Sequence, residues 1–305
     1  VNLAYALVEA GRRVLLVDTD PQCSLSSFFL TESYLDQTLD ASESANGGTL
    51  WTALKPVSEG TGPLLPIAAV KIRDGLHLAI GDIRLSEFEN TLADCWRLCS
   101  DRNRRGYLCT AALSQVIDRL AHETKAEFVF FDAGPNIGPL NRAILLDCTH
   151  FVIPAACDLF STRALKTLGF ALSQWVTTWA RNVEQAPDGT PLLAGTPKLL
   201  GYLPQGFRMY RGEMASAPLS MLAQLNSRVV EFVWKPLQES YKAPTADRVP
   251  KLKLGEVKFF GELATRGQNE GAALWNVSGG NAVAKSEAQR LFSKIATHIG
   301  ALVTG

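Results

Sequence analysis

The sequence has no surplus of either charge: Lys and Arg total 30, Asp and Glu total 30, and the formal net charge is +0. A chain so balanced has no overall charge with which to grip a polyanion, which leaves that task to a local basic patch. It also lacks a signal peptide and any apolar run long enough to span a membrane, because charges interrupt every stretch. The six cysteines, at positions 23, 95, 99, 109, 148 and 157, show neither the paired short spacings of a zinc ribbon nor a secreted disulfide framework. A reducing cytoplasm is the default setting for such a set, and Cys95, Cys99 and Cys109 read more simply as buried thiols than as a ligand set. There is no internal repeat, no low-complexity tail and no initiator methionine. Core material is plentiful: 47% of the 305 residues are hydrophobic and 20% charged, enough for one large or two ordinary domains.

The chain is organised around Arg13-Val14-Leu15-Leu16-Val17-Asp18-Thr19-Asp20-Pro21-Gln22. Four consecutive aliphatic residues without polar alternation suit a central parallel strand covered on both faces. Pro21 cannot continue that strand, so Asp18 and Asp20 fall at its carboxyl edge, where open α/β sheets bind their ligands. The plainer alternative is that the two acids end a strand and cap the next helix. Glu127-Phe128-Val129-Phe130-Phe131-Asp132-Ala133-Gly134-Pro135 repeats the arrangement, an apolar run closed by an aspartate. In nucleotide-binding α/β proteins that pattern is the Walker B strand, whose carboxylate holds magnesium, usually through water.

Residues 14–22 resemble the switch strand of the ParA/MinD ATPases, the deviant-Walker group of P-loop proteins. Three further stretches resemble the ParA branch: Gly75-Leu76-His77-Leu78-Ala79-Ile80-Gly81-Asp82, residues 132–143, and residues 151–161. The matches run in the expected order from the first residue to about Gln205. The resemblance implies a P-loop fold, ATP and Mg2+ as cofactors, and a slow, timer-like hydrolysis. By the same resemblance Asp20 orients the attacking water as the catalytic residue. Asp18 and Asp132 belong to the metal and nucleotide site, and Gln205 stands where relatives carry an adenine-contacting asparagine. Arg208 and Arg211 face either phosphate or solvent. The implied partners are an ATP-dependent homodimer, non-specific DNA and a ParB-like activator, without stable membrane insertion. Two other classes stay open: a MinD-like membrane-associated positioning ATPase, and a metabolic ligase of the same superfamily.

One departure stands out. The family opens with a strand and a glycine-rich loop, Lys-Gly-Gly-x-Gly-Lys-Thr, whose amides and lysines hold phosphates. No Gly-Lys dipeptide occurs in these 305 residues, and Val1-Asn2-Leu3-Ala4-Tyr5-Ala6-Leu7 looks like the helix that follows such a loop. The expectation is therefore a single ParA-like domain over 1–305 that lacks its first strand and P-loop and is inactive alone.

Taken in order, the pattern predicts helix 1–10, strand 14–17 and helix 24–30. An irregular excursion over 36–75, punctuated by Gly and Pro, has one short helix near 50–54. Strand 76–80, helix 85–99, a basic turn at 101–106 and helix 108–122 follow. Next come strand 127–131, helix 140–146, strand 151–153, helix 161–182 and strand 198–203. The part beyond 206 is read as helical, with helices near 215–240, 260–266 and 282–302. This alternation gives an α/β protein, a mostly parallel sheet with helices on both faces. Leu291, Phe292, Ile295, Ile299 and Leu302 stripe the last helix, which reads as core docking before membrane anchoring.

Overall fold

Helix α1 (Asn2–Glu9) turns through the left-handed Gly11 into strand β1 (Val14–Asp18), whose five residues are all buried. Burial divides by parity, as a strand's two faces require. Leu15 and Val17 join a core with Trp51, Phe88, Leu113 and Ile144, while Val14 and Leu16 join a second core with Tyr5, Leu78, Leu274 and Phe292. The aliphatic run is thus apolar throughout because both its faces are covered. The computed structural model describes residues 1–134, 136–156, 159–207, 209–210, 213–214, 216–242 and 250–304.

After β1 come α2 (Ser24–Phe29), α3 (Glu32–Asp40), α4 (Leu50–Glu59), β2 (Val70–Arg73), β3 (Leu76–Ala79) and α5 (Leu85–Ser100). Then follow α6 (Arg104–Thr110), α7 (Ala112–Thr124), β4 (Phe128–Asp132), α8 (Pro139–Asp147), β5 (His150–Ala156) and α9 (Leu159–Glu184). The remainder holds β6 (Lys198–Phe207), β7 (Met209–Tyr210), β8 (Glu213–Met214), α10 (Ser216–Val229), α11 (Lys235–Ser240), β9 (Val257–Lys258), α12 (Glu262–Glu270) and α13 (Ala282–Thr304).

The main strands fall into two hydrogen-bonded sheets, ordered β2-β3-β1-β4 and β5-β6-β9. Strands β3, β1 and β4 are parallel, as are β5, β6 and β9, and within these two sheets β2 joins its neighbour antiparallel. This is the mostly parallel α/β architecture read from the sequence. Strand β4 closes the first sheet, its side chains half-buried up to Phe131 and open to solvent at Asp132.

Three segments differ from the sequence reading. The stretch expected to be irregular has a ten-residue α4, capped by the Thr49 side chain and ended by left-handed Gly60, and also the edge strand β2. The basic turn is half helix: Asn103 accepts from the Arg105 N–H and starts α6 at Arg104. Gly106 makes the tight α5–α6 approach possible, since a Cβ there would lie 2.6 Å from the Cys99 nitrogen. Beyond 206 the chain is not wholly helical, because β9 adds a parallel strand to β6 and β7 pairs with β8.

Helix α13 docks through its apolar stripe. Phe292, Ile295 and Ile299 are buried, Ala288 and Ala296 share the core that includes α1, and Leu302 remains 43% exposed. No described helix is long and apolar enough to cross a membrane.

Candidate active site

Strands β1 and β4 run parallel in a register that sets Asp18 opposite Asp132 at their carboxyl ends. Asp18 is 0% exposed. Its Oδ2 accepts the Ser26 N–H at 2.7 Å, at the third residue of α2, so one oxygen does cap the following helix as the plainer reading foresaw. Its Oδ1 is buried with no hydrogen-bond partner. Burial is the main cause that pushes the Asp18 carboxyl up to about 6, with Asp132 adding and the Ser26 hydrogen bonds opposing. Gly81, just past β3, makes this packing possible: a Cβ there would stand 2.8 Å from the Asp18 carbonyl oxygen and 2.9 Å from its Cγ. Ser26 closes the arrangement by accepting the Gly81 N–H at 3.1 Å.

Asp82, also buried, is fully engaged elsewhere. It accepts from the Thr49 hydroxyl at 2.7 Å and from the Arg84 N–H at 2.9 Å, tying α4 to the start of α5.

Thr19, 1% exposed, joins the two strand ends: its N–H and its hydroxyl both donate to the Asp132 carbonyl, at 3.0 and 2.7 Å. Asp20 then turns outward. Its Oδ1 accepts the Gln22 N–H at 3.0 Å and its carbonyl accepts the Cys23 N–H at 2.8 Å. A Cβ on Gly134 would lie 3.7 Å from the Asp20 carboxylate, so the loop after β4 passes beside that acid. Asp132 stays open to solvent at the side chain, yet desolvation by the surrounding protein, with Asp20 adding, raises it above the usual carboxylate range.

Asp18, Asp20 and Asp132 are therefore brought together. Gln205 lies on β6 in the other sheet, paired with Ala156 and exposed, and among the described residues no hydrogen bond joins it to the aspartates. Arg208 and Arg211 lie outside the described residues, as do Pro135, Cys157 and Asp158 of the family-like stretches. Ser26, Thr19 and Asn141 were not singled out from sequence. Only Ser26 left a local signal, its place at the third position of a helix that begins just past the acids.

The site suits a hard cation of few protein ligands. Magnesium takes one or two carboxylates and keeps much of its water, and a buried carboxylate oxygen without a partner is a fitting donor for it. Among the described residues no three His, Cys, Asp or Glu side chains form a metal cage, which such an ion does not need.

Residues 1–184 match the family model described as AAA domain. A putative replication protein A of Rhizobium rhizogenes is 31% identical over 163 residues, 52% of this chain and 37% of that protein. The chain spans less than half the length of the curated relatives it matches. Among solved structures, a Corynebacterium diphtheriae protein aligns with TM-score 0.72 and 21% identity, covering 98% of this chain and 91% of that one. An ATP complex of Cyanothece McdA aligns at 0.63 and 14%, over 98% and 89% of the two chains. pNOB8 ParA bound to nonspecific DNA aligns at 0.58 and 16%, over 99% and 91%. These structural likenesses share the fold, and the family model covers the whole region that carries Asp18, Asp20 and Asp132. The chain belongs to the AAA-domain family.

Proposed function

We propose that this chain carries the acidic half of a nucleotide-switched, ParA-like ATPase that positions DNA. The observation that supports it most is the convergence of Asp18, Asp20 and Asp132 at the ends of two paired parallel strands, with one Asp18 oxygen buried and unpartnered. In this reading Asp18 and Asp132 hold the magnesium shell, which when bound neutralises charge on the transferred phosphoryl group. Asp20, turned outward beside the Gly134 loop, orients the attacking water. Phosphoryl transfer asks mainly for positioning of this kind. The nucleotide and DNA held by the McdA and pNOB8 ParA structures support the ligand classes. A homodimer and a ParB-like activator complete the proposal, resting on the ParA-like resemblance.

The test is calorimetry and turnover with ATP and magnesium. The 305 residues contain no Gly-Lys loop, so weak binding is expected from them alone. Joining a strand and a Lys-Gly-Gly-x-Gly-Lys-Thr loop ahead of Val1 is expected to strengthen it. In that loop-bearing form Asp20→Ala should keep ATP and lose turnover, whereas Asp132→Ala should weaken magnesium-dependent binding itself. Parental turnover in Asp20→Ala would remove Asp20 from the mechanism.

A further inference from the structure

Asn141, in the first turn of α8, is only 6% exposed, and its side chain does not serve its own helix. Its Nδ2 donates to the Gly134 carbonyl at 2.7 Å, the Asn136 carbonyl at 2.8 Å and the Asn136 Oδ1 at 2.9 Å. The Asn136 Oδ1 in turn accepts the Gly138 N–H at 3.0 Å. One buried amide thus gathers three acceptors of a single loop, and Gly134 of that loop is the residue beside the Asp20 carboxylate. At the loop's other end Thr19 holds the Asp132 carbonyl through two donors. The segment after β4 is thus held at Asp132 from β1 and at Gly134 and Asn136 from α8.

We infer that Asn141 is a positioning residue for Asp20: it holds Gly134 and Asn136 in place beside the carboxylate and so sets the space in which that acid holds water. The inference rests on the hydrolytic reading above. A residue that reached neither water nor nucleotide would act only through this loop, so its removal should move turnover and leave nucleotide affinity alone.

Two measurements test it. On the 305-residue chain, hydrogen exchange of the Gly138 amide should quicken about tenfold in Asn141→Ala, with the amides of β1 and β4 unchanged. Asn141→Ser, which keeps one donor and less disturbs the fold, should fall between the two. In the loop-bearing form Asn141→Ala should lower kcat about tenfold and shift KM for ATP less than twofold. Asn141→Asp should lose more than Asn141→Ala, because a carboxylate would face three acceptor oxygens. Combining Asn141→Ala with Asp20→Ala should cost nothing beyond Asp20→Ala, as expected of residues acting as one unit. Parental Gly138 exchange in Asn141→Ala, or losses that multiply in the double variant, would overturn the inference alone. Parental turnover in Asp20→Ala would overturn the hydrolytic reading and this inference with it.

Discussion

Asp18 shows how a buried side chain can cost a fold stability. A carboxylate buried with one bare oxygen destabilises the chain that contains it, and an amide of the same shape removes the charge while keeping the acceptor for Ser26. Asp18→Asn is expected to raise folding stability by about 1–3 kcal/mol in magnesium-free buffer at neutral pH, measured by urea midpoint, and to weaken magnesium-dependent nucleotide binding in the loop-bearing form. Asp147 offers a second case away from the site. Burial raises its carboxyl, Ser114 and the Ala194 N–H oppose the shift, and Asp118 adds to it. A carboxyl whose pKa is higher folded than unfolded holds its proton longer in the native state, so stability falls as pH rises from the ordinary carboxylate range through the raised value. Asp147→Asn has no such proton to lose. Its stability should match the parent near pH 4 and exceed it at pH 7, and a parent-like profile across that range would count against the burial account.

At the level of elements, helix α9 and the π-helical turn Val230–Trp234 meet backbone to backbone at Gly169, where a Cβ would stand 1.7 Å from the Phe232 carbonyl oxygen. Gly169→Ala must push the two apart and should cost about 3 kcal/mol, read as a lowered denaturation midpoint. Thr49 does double duty as the cap of α4 and as a donor to buried Asp82. Thr49→Ala should cost about 1–3 kcal/mol, because it removes the cap and deprives a buried carboxylate of a partner. The elements legible in the sequence were those whose pattern is settled by burial, such as β1, β4 and α5. Strand β2 was not, since its Val-Lys-Ile-Arg alternation lies on an edge close behind the prolines at 56, 63 and 66. Helix α6 was hidden by its arginines and Gly106, whose tolerance of close packing exists only once α5 is beside it. The same limit holds at the site. Asp18, Asp20 and Asp132 announce themselves by ending apolar runs, whereas Thr19 and Asn141 matter through partners more than 100 residues away or in a loop without periodicity.

For the whole molecule, two basic stretches bear on the DNA reading: Arg102, Arg104 and Arg105 in one turn, and Arg248, Lys251, Lys253 and Lys258 before Phe259, of which Arg248 lies outside the described residues. Lys253 pairs with Glu256 and Lys258 with Glu287, so half of the stretch before Phe259 is already neutralised locally. Arg102 is held by Gln185, a neutral partner, and among the described residues Arg104 and Arg105 have no carboxylate within ion-pair distance. The proposed DNA face is therefore the start of α6. Reversing the charge of Arg104 and Arg105 in the loop-bearing form should weaken ATP-dependent DNA binding at least about tenfold and flatten its dependence on salt, with dimerisation by ATP unchanged. Equal DNA affinity in ADP and ATP would reject the switch. Ile295, 1% exposed, anchors α13, and Ile295→Ala should cost about 2–4 kcal/mol, with no change in vesicle flotation.

Strand β4 has a different consequence for handling the protein. Among the described residues it stands last in its sheet, paired on one side with β1, and its Phe128, Val129, Phe130 and Phe131 are half-buried. An apolar strand at the end of a sheet can template the addition of a foreign strand. If β4 does so, light scattering should climb with concentration at temperatures where the fold is intact, and a short extended peptide that pairs with this edge should suppress it.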